Sequence, residues 1–240
     1  MQQIDLTILS NDRIAKDICR LQLSIVNCQL SIAAGAFVNL QIDGHYLRRP
    51  ISVCDCSNDT LTLIYKVVGP GTARLAQYQA GEKLNALTGL GNGYTLPDAC
   101  PPATCLLIGG GVGVPPLYYL AKKLIEAGQK PIALLGFNTA EESFYCDEFA
   151  ALCETIIVMG GYVTDALPGL QYDALYCCGP EPMLRAVYNQ ALDVPAQYSF
   201  EARMACGFGA CMGCSCRTVT GHKRICKDGP VLAREEILWT

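Results

Sequence analysis

Ala103-Thr104-Cys105-Leu106-Leu107-Ile108-Gly109-Gly110-Gly111-Val112-Gly113-Val114-Pro115-Pro116 decides the fold. An apolar run of strand length ends in a glycine cluster, and two prolines then stand where a helix can begin. Proline suits a first helical turn because its missing N–H has no partner there and its φ is preset. The helix so opened reads over 115–127 and stops at Gly128, a residue favoured just past a helix end. Strand, glycine turn and helix in that order form the first unit of a parallel sheet covered by helices. Glycines at such a turn let backbone amides approach a pyrophosphate, and a helix N-terminus favours negative charge. Gly109, Gly110, Gly111 and Gly113 are therefore candidate dinucleotide-binding residues. Val114 fills the third glycine position of a G-x-G-x-x-G pattern, so by itself the motif reads equally well as a tight turn.

Downstream the alternation continues, with strands over 131–137, 155–159 and 174–178 and helices over 141–152 and 181–191. Cys178-Gly179-Pro180 closes the fourth strand. The second strand ends at Phe137, and Glu141 and Glu142 follow with no arginine nearby. An adenosine ribose would lie there, and a 2′-phosphate would be repelled, which favours NADH over NADPH.

Upstream the texture is β. Segments 4–9, 19–25, 37–42, 51–54 and 61–68 alternate or run apolar, divided by turn signals at 31–35, 43–44 and 58–59. Short strands at this spacing suggest a small antiparallel barrel. A proline-rich linker, 96–102, separates the two halves.

With 240 residues the chain can hold more than one domain, and 51% apolar against 17% charged residues excludes a disordered tail. A formal charge of −4 with no basic run argues against nucleic acid as a partner. The uncharged stretch 99–121 is long enough to span a bilayer, but its four prolines and glycine cluster exclude a membrane helix. The start shows no basic segment followed by an apolar run, so the expected compartment is the reducing cytoplasm.

In that setting fifteen cysteines are the outlying feature. Cys19, Cys28, Cys54, Cys56, Cys100, Cys105, Cys146, Cys153, Cys177 and Cys178 stand at no ligand spacing and read mostly as small buried hydrophobes. The rest crowd into the C-terminal segment. Cys206, Cys211 and Cys214 form C-x4-C-x2-C, the plant-type [2Fe–2S] spacing, and Cys226 is a fourth candidate. Gly207, Gly209 and Gly213 let the backbone wrap an inorganic core and offer amides to its sulfurs. Cys216 is a lower-ranked ligand, and a structural zinc site is the competing reading.

Arg48-Arg49-Pro50-Ile51-Ser52 opens a strand with an arginine fork that suits phosphate. Gly69-Pro70-Gly71-Thr72 turns into a helix start, a second phosphate-binding candidate or a simple cap. His45 and His222, the two histidines, read as solvated side chains, and no acid–base or nucleophile constellation identifies a catalytic residue.

Arg49-Pro50-Ile51-Ser52 resembles the flavin motif of ferredoxin–NADP reductase-like proteins, and Gly71-Thr72 resembles their second flavin contact. The turns at Gly109 and at Cys178-Gly179-Pro180 resemble their nicotinamide-nucleotide motifs. Within that superfamily the segment from Glu201 to Cys214, with Cys226-Lys227-Asp228-Gly229-Pro230, is similar to electron-transfer subunits of two-subunit, NAD-dependent dihydroorotate dehydrogenases. The resemblance covers essentially the whole chain. It implies an N-terminal six-stranded flavin barrel (1–98), a parallel-sheet α/β domain for the nucleotide (103–197) and a C-terminal iron–sulfur segment (198–240). It also implies FAD on Arg49, Pro50, Ile51, Ser52, Ile64, Tyr65, Lys66, Gly71 and Thr72. NAD(H) would be an exchangeable substrate at Gly109, Gly110, Gly111, Gly113, Cys178, Gly179 and Pro180. A [2Fe–2S] cluster would sit on Cys206, Cys211, Cys214 and Cys226. Electrons would pass between NAD and an FMN-containing catalytic subunit that oxidises dihydroorotate to orotate in pyrimidine biosynthesis, in a heterotetramer of two plus two. Thr88-Gly89 stands where relatives show Gly-Pro, and Asn138 where a basic residue is common. A related reductase subunit serving ferredoxin, sulfite reductase or a hydrogenase is the alternative within the superfamily. A zinc-binding interaction protein is the alternative outside it.

Overall fold

The computed structural model describes residues 1–240 apart from 27, 29, 58, 99, 100 and 240. Asn58 of the 58–59 turn signal, Ala99 of the linker and Cys100 therefore lie outside the described residues.

Strands β1 (Gln2–Ala15), β2 (Ile18–Ser24), β3 (Phe37–Leu40), β4 (Arg49–Ser57), β5 (Thr60–Lys66) and β6 (Lys83–Leu90) close into an antiparallel barrel, in the order β1-β2-β5-β4-β3-β6. Their period-two pattern sends Leu6, Ile8, Leu21, Leu23, Leu61, Leu63, Leu84 and Ala86 inward, each no more than 1% exposed. Closure pairs every strand on both sides, so no edge is left to stick to other chains. The sequence segments named above omit β6. It carries a single β-branched residue, Thr88, and its place is set by pairing with both β1 and β3. A short helix, α1 (Pro70–Leu75), follows β5.

The second half alternates β7 (Thr104–Gly110), α2 (Val114–Glu126), β8 (Lys130–Phe137), α3 (Cys146–Ala150), β9 (Glu154–Met159), β10 (Ala174–Cys178), α4 (Glu181–Gln190) and β11 (Ala196–Ser199). A hairpin of β12 (Ser215–Thr218) and β13 (Gly221–Arg224), then α5 (Ile225–Asp228) and β14 (Val231–Ala233), complete the chain. The sheet runs β14-β11-β10-β7-β8-β9 and is parallel except for β14. Its edge strand β14 thus comes from within 198–240. The chain leaves β7 toward β8 on one side and returns on the other side as β10. Such a reversal opens a crevice beyond the strands' carboxyl ends, where α/β sheets bind ligands.

One expected element differs. In place of a continuous helix over 141–152 there is a 3-10 turn, Ala140–Glu142, and then α3. Tyr145 between them takes φ +61°, and its ring packs edge-on to Tyr118 at 5.1 Å, which in turn meets Phe149 at 5.3 Å. Tertiary packing of three aromatic rings outweighs the local helical pattern. Among the described residues, no helix is long and apolar enough to cross a membrane.

Three contacts lock the barrel to the sheet. Lys122 on α2 sets Nζ 2.8 Å from both carboxylate oxygens of Asp55 on β4. Lys66 at the end of β5 bonds Glu142 at 3.1 Å. The Asn92 side chain donates to the Val231 carbonyl at 2.7 Å and accepts from its N–H at 3.1 Å, as a strand partner would.

Candidate functional site: a cleft and a cysteine loop

A cleft of about 910 Å³ lies between the barrel wall and the carboxyl ends of β7 and β10. Arg49, Pro50, Ile51, Ser52, Ile64, Tyr65, Lys66 and Thr72 line it, eight of the nine expected flavin residues. Gly71, the ninth, sits behind the Arg49 guanidinium. A Cβ at Gly71 would fall 2.2 Å from Arg49 Nη2, so only glycine lets the guanidinium lie flat on the turn. The two arginines part company. Arg48 also lines the cleft but is tied to the barrel, donating to the Asn39 carbonyl at 3.2 Å and to Asn85 Oδ1 at 2.7 Å. Arg49 faces the cleft. The Thr72 hydroxyl accepts from the Val68 and Gly69 N–H groups at 3.0 and 3.2 Å, which fixes the turn ahead of α1.

Gly110, Gly113, Cys178, Gly179 and Pro180 line the opposite wall, whereas Gly109 and Gly111 do not reach it. A Cβ at Gly109 would press on Val114 and Leu117, so that glycine serves strand–helix packing. A Cβ on Gly113 would lie 2.2 Å from the Cys178 carbonyl oxygen. The two strand-end turns therefore touch backbone to backbone. Burial pushes the Cys178 thiol up to about 12, against the hydrogen bond of the Ser199 hydroxyl, so the cleft meets a neutral thiol.

Sequence reasoning missed several wall residues. His45, read as solvated, lines the cleft with Nδ1 3.5 Å from Arg49 Nη2. Tyr46 at the mouth is fully exposed. Ser199, Phe200, Glu201, Ala202, Arg203 and Met204 carry the wall from β11 toward the cysteine loop. The loop before Arg48 has no motif or period that would have revealed this, and Glu201 to Met204 stand in the segment that carries the family resemblance without a spacing that marks a cofactor wall. The two acids expected at the ribose end are both engaged. Glu142 bonds Lys66, and Glu141 lies 3.6 Å from Lys16.

The cysteine loop brings its four sulfurs together as two contacting pairs, Cys206 with Cys211 and Cys214 with Cys226. Among the described residues, no three His, Cys, Asp or Glu side chains converge on a single-ion site. What does converge is backbone. Burial opposes ionisation of Cys206, yet the N–H groups of Phe208, Cys211 and Ala210, with the Cys211 thiol, draw it down to about 6. The Gly213 N–H points at Cys211 Sγ and the Cys226 N–H at Cys214 Sγ, both at 3.4 Å. The Gly209 N–H serves Cys226, whose thiol is nonetheless pushed up to about 12 by burial and by the Cys214 and Cys206 sulfurs. Amides aimed at cysteine sulfur are the hydrogen-bond donors that an anionic iron–sulfur core requires around it, so the donor set fits one.

Gly207 (φ +72°) and Gly209 (φ +91°) are needed twice over. Both have left-handed backbone, and a Cβ would fall 2.2 Å from Asn39 Nδ2 or 2.6 Å from Lys227 Cδ. Gly213 is not so constrained, and Met212 takes the positive φ in its place. Asn39, buried in β3, donates to the Cys206 carbonyl at 3.2 Å and so ties the loop to the barrel. Cys216 lies half-buried on β12, outside the two pairs, with its thiol raised by burial. Of the nine described scattered cysteines, Cys19, Cys54, Cys105, Cys177 and Cys178 are buried and the other four half-buried; all are free.

Two carboxylates brace these elements. The Lys66 ammonium holds Glu142, and the Lys223 ammonium holds Glu236, below the usual carboxylate range. Their folded pKa values are depressed. The stability they contribute is complete above the unfolded value of about 4.3 and is lost as pH falls through the folded values. Thermal melts between pH 7 and pH 3 are expected to stay level down to about pH 4.5 and then fall, less steeply in E236Q. A loss of stability already between pH 7 and pH 6 would contradict this assignment.

A family model described as the iron–sulfur cluster binding domain of dihydroorotate dehydrogenase B matches residues 201–238. The dihydroorotate dehydrogenase B (NAD(+)) electron transfer subunit of Geobacillus kaustophilus (strain HTA426) is 41% identical, over 97% of this chain and 97% of the relative. The chain belongs to this family of electron transfer subunits. The Fusobacterium nucleatum member is 40% identical over the same share of each chain. Among solved structures, an NADH-dependent reduced ferredoxin-NADP oxidoreductase, studied for flavin-based electron bifurcation, superposes with a TM-score of 0.88 and 27% identity. That match covers 98% of this chain and 90% of the other. Phthalate dioxygenase reductase, whose modular structure serves electron transfer from pyridine nucleotides to [2Fe–2S], shares the fold at a TM-score of 0.67 and 16% identity, over 90% and 87% of the two chains. The barrel and parallel sheet are thus the ferredoxin–NADP reductase-like architecture, and the family's activity is that of an oxidoreductase electron-transfer subunit.

Proposed function

We propose that this electron transfer subunit holds FAD in the cleft, receives NAD(H) against Gly110, Gly113 and Cys178-Gly179-Pro180, and carries a [2Fe–2S] cluster on Cys206, Cys211, Cys214 and Cys226. The observation that carries the reading is continuity. A single cleft joins Arg49–Ser52, both strand-end turns and Ala202–Met204, two residues short of Cys206. Nicotinamide exchanges a hydride, iron–sulfur centres exchange single electrons, and a flavin does both, which is why the three belong together.

The chain's own residues place these groups and keep water away. Arg49, lying over Gly71, is set to meet a diphosphate. Pro50, Ile51 and Ser52 with Ile64, Tyr65 and Lys66 form the wall for the ring system. Gly113 lets the turn after β7 close onto the turn after β10. The loop's outer face carries Phe208 and Met212, 42% and 52% exposed, beside exposed Cys211. Apolar side chains around a ligand cysteine suit docking of the partner. We take that partner to be an FMN-containing catalytic subunit oxidising dihydroorotate to orotate in pyrimidine biosynthesis, in a heterotetramer of two plus two. We divide the chain into a flavin barrel (1–98), a nucleotide domain (103–197) and a cluster segment (198–240), and place it in the reducing cytoplasm, where its free thiols are at home.

The test is the colour of the purified protein. Flavin with [2Fe–2S] gives a brown-yellow solution that contains FAD, iron and sulfide. R49A is expected to retain FAD about 10-fold more weakly, the loss of charge-assisted hydrogen bonds to a phosphate. A colourless protein containing zinc would overturn the reading.

A further inference from the structure

The cysteine loop is held from outside by one side chain that no cofactor motif includes. Arg224, the last residue of β13, donates from Nη1 to the Gly209 carbonyl at 2.8 Å. Its other edge is anchored, with Nε 3.1 Å and Nη2 3.4 Å from the Asp228 carboxylate, which also accepts the Arg224 backbone N–H at 2.9 Å. The guanidinium therefore bridges the loop bearing the first three cysteines and the helix α5 bearing Cys226. A planar fork presents donors on two edges in fixed directions, which a rotatable ammonium does not.

The consequence follows from peptide geometry. In a trans peptide the C=O and the N–H point in opposite directions. The Gly209 carbonyl and the Ala210 N–H belong to one peptide unit. With its oxygen drawn out to Arg224, its N–H points the other way, and the Ala210 N–H is among the backbone groups that lower the Cys206 thiol. Gly209 is at φ +91°, where glycine permits other orientations at small cost, so the peptide needs an external hold. The Lys227 side chain packs over Gly209, 2.6 Å from where a Cβ would stand. Hydrogen bonds to cluster sulfurs, with local charge, set the potential of an iron–sulfur centre.

We propose that Arg224 is a positioning residue that raises the reduction potential of the cluster by holding the Gly209–Ala210 peptide with its N–H on Cys206. The proposal rests on the assignment of Cys206, Cys211, Cys214 and Cys226 as cluster ligands. It is distinct from an effect of charge alone, because Asp228 makes the two separable. Removing the arginine's charge lowers the potential on either view. Removing the negative charge of Asp228 should raise the potential if charge alone acts, and lower it if Asp228 serves to hold Arg224 in place.

The experiment is an anaerobic redox titration of the purified chain, read by the paramagnetic signal of the reduced cluster, with iron and sulfide counts alongside. R224Q and D228N are both expected to shift the midpoint to lower potential, D228N by the smaller amount. Should R224Q fail to hold iron, D228N alone carries the test. An unchanged midpoint in iron-replete R224Q, or a midpoint in D228N that is unchanged or raised, overturns the proposal. Absence of iron and sulfide from the wild-type chain would instead overturn the ligand assignment beneath it.

Discussion

C226S is expected to lose the iron–sulfur cluster and, with it, all NADH-driven electron delivery to the catalytic partner, while NADH still bleaches the FAD band of this chain. Cys226 is 1% exposed, stands on α5 and packs its sulfur against Cys214. It is the sole proposed ligand from outside the 206–214 loop, so without it the cage keeps three corners on one loop. A serine oxygen is a harder and more basic donor than a thiolate, and iron–sulfur chemistry favours the soft ligand. C216S is the matched control, because Cys216 sits half-buried on β12 outside the two sulfur pairs. Iron and sulfide analysis with a visible spectrum checks both variants. A C226S protein with wild-type iron, or a C216S protein without it, would show that the ligand set is wrongly drawn.

G113A is expected to cost about 3 kcal/mol of stability, the upper range for forcing atoms into a packed interior, and to weaken nucleotide binding sharply. The added methyl would stand 2.2 Å from the Cys178 carbonyl oxygen and 2.6 Å from Gly179 Cα, with no flexible side chain to give way. The turns after β7 and β10 must then move apart, and they form one wall of the cleft. G111A offers the contrast two residues away. Gly111 has φ +52° but nothing within 4 Å of a Cβ, so alanine there costs about 1 kcal/mol of backbone strain and leaves the wall alone. Denaturant unfolding of the two variants, with NADH binding measured on each, separates the cases. Equal stability losses would mean that the contact between the two turns is unimportant.

These expectations show where the sequence is informative. The run from Ala103 to Pro116 was legible because glycine and proline have backbone requirements that few other arrangements satisfy. The spacing of Cys206, Cys211 and Cys214 was legible because it is a local property of one loop. β6 was not, since Lys83–Leu90 has weak strand propensity and is recruited by two strands far away in the sequence, β1 and β3. The break before α3 was hidden because it depends on the rings of Tyr118, Tyr145 and Phe149, which meet only after folding. Charge reading also met its limit at Glu141 and Glu142. Both acids are visible in the sequence, but their engagement with Lys16 and Lys66 is a fact of tertiary structure. Asn39 and Arg224 were invisible for the same reason. Each acts on a loop carbonyl 15 or more residues away, and a side chain's reach toward a backbone oxygen leaves no periodicity.

The decisive experiment is anaerobic reduction of the isolated chain by NADH, followed by freezing and paramagnetic resonance. The flavin band should bleach, and a rhombic signal from a reduced [2Fe–2S] centre should appear in amounts matching the iron content. A flavin that NADH leaves oxidised, or a sample that stays silent even after dithionite, would contradict the proposed function.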